Sequence, residues 1–164
     1  FLRAYFNPFA AAFYPDTVML TEHALPTLAD WQGDHFKTSD EANSTYWLRS
    51  MFLAEHGQEL FVGQAIPRAW FEEGKKMRLE RALTHFGETG LEIVSQVATG
   101  HIVVKLDPPR RNPPQRIRLR VRHPNRKPIR QVLVNGLPHR GFDTEKEVIY
   151  LQGLTQPVEV RVSY

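Results

Sequence analysis

The sequence runs to 164 residues, 41% hydrophobic and 24% charged, with a formal net charge of +3, a profile that excludes disorder, collagen and low complexity. It holds no cysteine, which excludes disulfide frameworks, thiolate zinc sites and cysteine nucleophiles. No apolar run reaches the roughly 18 residues that span a bilayer, so no membrane partner is expected.

The charge is unevenly spread. Residues 1–74 carry ten acidic side chains against four basic ones, a balance of −6, whereas 75–164 carry +9. A shift at Gly74 marks a candidate domain boundary, and the hydrophobic period changes at the same place. Leu2, Tyr5, Phe6, Phe9 and Phe13 recur at helical spacing, which predicts a helix over about residues 1–13, ended near Pro15. Thr17 to Lys37 shows no sustained period and reads as a long loop. Loops of that length are uncommon unless functional. Thr38-Ser39-Asp40-Glu41 then reads as a capping box ahead of Tyr46, Trp47, Leu48, Met51 and Phe52, predicting a second helix from about Ser39 to His56, stopped at Gly57. Two helices around a long loop make a helical hairpin, and a hairpin cannot bury two aromatic faces alone. Phe1 opens in mid-pattern, so the chain reads as a piece of something longer. Upstream helices or another chain are expected to cover the helical face.

Pro67 suits the first turn of a short helix and Gly74 its end. From Lys75 onward strands dominate: Met77 and Leu79, Leu91 to Val94, Ile102 to Val104, Ile117 to Val121, Ile129 to Val134, Glu147 to Leu151 and Val158 to Val162. Turn signals fall between them at Gly87 to Gly90, Gly100, Asn135-Gly136 and Gly153. This pattern predicts an antiparallel β-sandwich over 75–164. The expected fold class is therefore α+β, a helical hairpin at 1–74 followed by a sandwich.

Four constellations bear on chemistry. Arg116, Arg118, Arg120 and Arg122 alternate along one strand. They read either as solvated cross-strand partners of glutamates or as a grip for a polyanion. No aromatic residue in that stretch is available to stack bases, which disfavours nucleic acid. Pro108, Pro109, Pro113 and Pro114 impose a stiff extended crossover between strands. The seven histidines never fall at the spacing of a metal-binding helix, and no phosphate loop, dinucleotide fingerprint or nucleophile elbow occurs, so neither metal nor cofactor is expected. The loop from Thr17 to Lys37 gathers Glu22, His23, Asp30, Trp31, Asp34 and His35. Carboxylates beside an aromatic platform suit sugar recognition, the ring facing pyranose C–H groups and the acids taking hydroxyls or acting as general acid or base. The same residues also suit caps and ion pairs at the end of a hairpin.

The stretch from Tyr46 to Gly74, with Pro67-Arg-Ala-Trp-Phe71 near its end, resembles the closing segment of bacterial six-hairpin, (α/α)6-barrel glycoside hydrolases. Thr84-His-Phe-Gly87, Pro108-Pro-Arg110, Leu119-Arg-Val-Arg-His-Pro124, Val134-Asn-Gly136 and Val162-Ser-Tyr164 are similar to the tail of the same family. The resemblance covers essentially the whole chain, and each segment in it is structural. It implies the last hairpin of an α/α toroid followed by its C-terminal β-sandwich, a carbohydrate partner, and a bacterial periplasmic or secreted location. It further implies that Glu22, His23, Trp31, Asp34 and His35 line the substrate cleft, with Glu22 the candidate for a catalytic role in this chain. The main catalytic acid would lie upstream, and this piece alone would be inactive. Two rival readings are a non-catalytic carbohydrate-binding sandwich module and a polyanion-binding protein that uses the arginine strand.

Overall fold

A computed structural model describes Phe6–Asn7, Phe13–Tyr14, Met19–Leu20 and residues 38–164. The chain divides into two compact units, Phe1–Met51 and Phe52–Tyr164.

In the first unit Phe6 and Asn7 are helical, as the helical spacing predicts. At Phe13 the chain is already extended: β1 (Phe13–Tyr14) pairs antiparallel with β2 (Met19–Leu20), Phe13 opposite Leu20. The expected helix therefore ends before Phe13, and the expected loop opens with a strand. The long helix α1 spans Thr38–Phe52. It starts at the predicted cap but stops four residues short of His56. Three hydroxyls along it, on Ser44, Thr45 and Ser50, bond back to carbonyls one turn earlier at 2.8–2.9 Å. Met51 is fully buried, while Phe6 and Trp47 stay 44% and 47% exposed.

The second unit is a sandwich of two sheets. The five-stranded sheet comprises β3 (Leu53–His56), β4 (Glu59–Val62), β8 (Arg116–Arg120), β11 (Phe142–Asp143) and β12 (Val148–Leu151), in the spatial order β11-β12-β8-β4-β3. The six-stranded sheet comprises β5 (Lys76–Thr84), β6 (Gly87–Gln96), β7 (His101–Asp107), β9 (Gln131–Val134), β10 (Leu137–His139) and β13 (Val158–Ser163), in the order β10-β9-β13-β7-β6-β5. One hydrophobic cluster joins them, drawing Leu53, Leu60, Ile117, Leu119 and Ile149 from one sheet and Ile93, Ile102, Val104, Val160 and Val162 from the other. Inward apolar and outward polar residues alternate along β8 and β13, and along β7 apart from the outward Val103, as a two-layer sandwich requires. Met77 and Leu79, expected inside, are half-buried because β5 is the sheet's edge. Val134, at the end of β9 beside the Asn135-Gly136 turn, is half-buried too.

Two expectations need correction. The domain boundary expected at Gly74 lies instead at Phe52, because residues 53–62, read as helix end and linker, form a hairpin of the five-stranded sheet. Gly57, with φ +55, sits between paired His56 and Glu59, so its left-handed backbone closes a tight hairpin and does not terminate a helix. A glycine with positive φ serves either end equally well, which is why the sequence misleads here. The Gly63 N–H then donates to the Phe52 carbonyl at 2.7 Å, converting the last helical residue into the first rung of the hairpin. The sandwich is also not wholly antiparallel: β4 runs parallel to β8, Leu60 opposite Ile117. Parallel neighbours need a long crossover, and here the whole β5-β6-β7 meander intervenes.

The proline-rich segment behaves as predicted. It carries the chain from β7 in one sheet to β8 in the other, with Pro108 and Pro109 buried. Its backbone is pinned by Asn112 N–H to the Phe86 carbonyl and Gln115 N–H to the Gln58 carbonyl, both at 2.9 Å.

Candidate functional site

The residues that the sequence singles out for sugar contact, Glu22, His23, Trp31, Asp34 and His35, all lie outside the described residues. Among the described residues, chemistry concentrates on the outer face of the five-stranded sheet and in one buried cluster at the sandwich edge.

The outer face follows from the alternation along β8. Ile117 and Leu119 point into the core, so Arg116, Arg118 and Arg120 point outward, and Arg122 follows just beyond the strand. The pairing registers decide what they meet. Phe61 on β4 and Tyr150 on β12 both stand opposite Arg118, so the three form one rung. The Arg118 guanidinium carbon lies 4.6 Å from the Phe61 ring centre and 5.8 Å from that of Tyr150, and Arg116 lies 5.4 Å from Tyr150. These are cation–π distances. Glu59 accepts from Arg116 Nε at 2.6 Å and stands 3.6 Å from Arg118. Arg120 donates to the Gln64 carbonyl at 3.2 Å and Arg122 to the Ile66 carbonyl. The glutamate pairing expected for this strand is thus present at one end. Arg120 and Arg122 instead rest on the loop after β4.

That loop depends on Gly63. Its φ is +73, and a Cβ there would sit 2.7 Å from the Arg120 carbonyl oxygen. A larger residue would push the loop carbonyls away from the arginines. The pKa of Arg122 is pushed down to about 10 by burial, with the charges of Arg120 and Arg68 adding to the effect. Such a shift is the mark of like charges held close in partly desolvated surroundings. Among the described residues, the Nε atoms of Arg118, Arg120 and Arg122 are buried without a hydrogen-bond partner.

Beside these arginines opens a cleft of about 380 Å³, walled by Phe61, Arg118, Arg120, Val148, Glu145 and Lys146. Lys146 comes from the β11–β12 turn, where its N–H donates to the Asp143 carboxylate at 2.9 Å and its ammonium lies 3.5 Å away. Those contacts hold Asp143 below the usual carboxylate range. The arginine pattern is legible in the sequence. The aromatics are not, because Phe61 and Tyr150 reach Arg118 through strand pairing; the outward positions of Leu60-Phe61-Val62 and Val148-Ile149-Tyr150 are the one signal that could have found them.

The buried cluster is of another kind. Arg68, in the short 3-10 turn Arg68–Phe71, grips Glu147 with both ends of its fork, at 2.8 and 2.5 Å, and donates to the His123 carbonyl at 2.8 Å. Glu147 is 6% exposed and adopts φ +55, a backbone region costly for a side chain with a Cβ. His123, 2% exposed, accepts the Asn125 N–H on Nδ1 at 3.0 Å. Burial, reinforced by Lys127 and Arg68, holds its ring below the usual histidine range. The Tyr164 ring packs edge-on to it at 5.0 Å, and its hydroxyl donates to the Val121 carbonyl at 3.2 Å. Burial pushes the pKa of that hydroxyl up. Apart from His123 Nε2, which is buried without a hydrogen-bond partner among the described residues, these groups bond to one another within the protein, which is the behaviour of a structural lock.

Among the described residues no group of three His, Asp or Glu is placed to hold a metal ion, and no helix is long and apolar enough to cross a membrane. No family model matches the chain, and no curated protein matches it.

Proposed function

We propose that the chain is the C-terminal part of a carbohydrate-active, glycoside hydrolase-like enzyme. Its helical residues come from the last hairpin of an (α/α)6 barrel and its sandwich serves as scaffold. The observation that carries this reading is how the resembling segments meet. Pro67 to Phe71, Leu119 to Pro124 and Val162 to Tyr164, far apart in sequence, supply Arg68, His123 and Tyr164 to one buried cluster around Glu147. Thr84 to Gly87 likewise meets the proline crossover, where a Cβ on Gly87 would lie 3.1 Å from Arg111. Segments that share a packing role belong to one architecture, so their joint order supports the same architecture here.

In this reading Glu22, His23, Trp31, Asp34 and His35 face the sugar, and the reaction is completed by residues of the barrel upstream. The test is Glu22→Gln and Trp31→Ala in the full-length parent, with glycoside turnover and melting temperature measured together. Turnover is expected to fall with an unchanged melting temperature. Unimpaired turnover in both variants, a loss that merely follows unfolding, or a parent that cleaves no glycoside would overturn the reading.

A further inference from the structure

Among the clefts lined by described residues, two lie on opposite sheets of the sandwich, and their charges differ in kind. The larger, about 740 Å³ on the six-stranded sheet, is lined by Arg78, Arg81 and Lys105 among more numerous acids. Its arginines are already engaged: Arg78 pairs with Glu80 and Glu92, and Arg81 with Glu88 at 3.1 Å. The cleft on the five-stranded sheet reverses the balance, with Arg118, Arg120 and Lys146 against Glu145.

Its geometry is prepared as well as its charge. Rings on both neighbouring strands flank the Arg118 guanidinium, at 4.6 and 5.8 Å from its central carbon, and contact with a ring face leaves the fork of a guanidinium for an anion. With Nε covered, the terminal nitrogens are what Arg118 and Arg120 offer to the cleft they line. Of the carboxylates nearby, Glu59 is shared by Arg116 and Arg118 and stands at the far end from Arg120, Asp143 lies 3.5 Å from the Lys146 ammonium, and Glu145 lines the cleft. Phe61 and Val148 supply apolar wall. A volume near 380 Å³ lies at the small end of ligand pockets, enough for a single sugar-sized group.

We propose that this cleft binds the carboxylate-bearing unit of an acidic saccharide, a uronate, with Arg118 and Arg120 on the carboxylate and Lys146 at the mouth. The saccharide part of the inference rests on the carbohydrate reading above, whereas the anion part rests on the arginine rung alone.

The test is calorimetric titration of the full chain with trigalacturonate, with its methyl ester, and with inorganic polyphosphate. Arg120→Gln and Lys146→Gln are compared with the unaltered chain, and folding is checked by thermal melting. Trigalacturonate is expected to bind and to weaken about tenfold or more in Arg120→Gln, the loss of one charge-assisted pair. Binding should vanish on esterification and decline with salt. Lys146 is largely exposed, so its variant keeps the comparison interpretable if Arg120→Gln fails to fold, and should weaken binding a fewfold. Equal binding of ester and acid, or no effect of either substitution, would overturn the proposal. Polyphosphate binding as tightly as trigalacturonate would replace it with a polyanion site. If trigalacturonate fails to bind while the parent still cleaves glycosides, this inference falls and the enzyme reading stands. If trigalacturonate binds while the parent cleaves no glycoside, the uronate site stands and the enzyme reading falls.

Discussion

Replacing Glu147 tests whether the buried cluster holds the sandwich together. Its carboxylate takes both ends of the Arg68 fork and is 6% exposed. Breaking a buried pair of this type costs about 3–5 kcal/mol. The Arg68 side chain is 27% exposed, so water recovers part of its hydration and about 2–3 kcal/mol is the expected cost of Glu147→Gln. For a domain of this size that corresponds to a fall in melting temperature of roughly 8–12 °C. The backbone gives a second, sharper test. Because φ is +55 at Glu147, Glu147→Gly relieves a steric cost that Glu147→Ala keeps, so the glycine variant should be more stable than the alanine variant by about 1 kcal/mol. That order is the reverse of the usual one in regular structure. Urea unfolding of the three variants, with m-values checked for constancy, measures both effects. A Glu147→Gln protein melting within about 2 °C of the unaltered chain, or an alanine variant more stable than the glycine one, would refute the reasoning.

His123 binds a proton less readily in the folded chain than in the unfolded one. Its contribution is therefore complete above about pH 6.5, the unfolded value, and is lost as pH falls from there through the lower folded value. His123→Asn, which keeps an acceptor for the Asn125 N–H, should flatten the decline of melting temperature between about pH 7 and 5. Gly63→Ala meets the Arg120 carbonyl at 2.7 Å with φ at +73 and should cost about 2–3 kcal/mol in urea unfolding. Phe86→Ala, at a fully buried ring, should cost about 3–5 kcal/mol, whereas Leu137→Ala, at a side chain 72% exposed, should stay within about 0.5 kcal/mol.

Local signals sufficed where structure is set by neighbours in sequence. The period-two alternation of Ile117, Leu119 and Val121 with arginines marks a half-buried strand, and its inward residues are buried. Asn135 and Gly136, both with positive φ, close the β9–β10 hairpin that their sequence announces. Thr38 likewise opens α1, and the prolines between β7 and β8 make the extended crossover expected of them. Pairing between distant segments was not legible. Residues 53–62 have no alternation strong enough to separate them from a helix end, and their place in the sheet is settled by the parallel match of β4 to β8, more than fifty positions away. The rung of Phe61, Arg118 and Tyr150, like the closure of Arg68, His123 and Tyr164 around Glu147, exists because registers and burial bring remote side chains within a few ångströms. Sequence spacing carries periodicity along one strand, but which strands lie side by side follows from the competition among all apolar faces for one shared core.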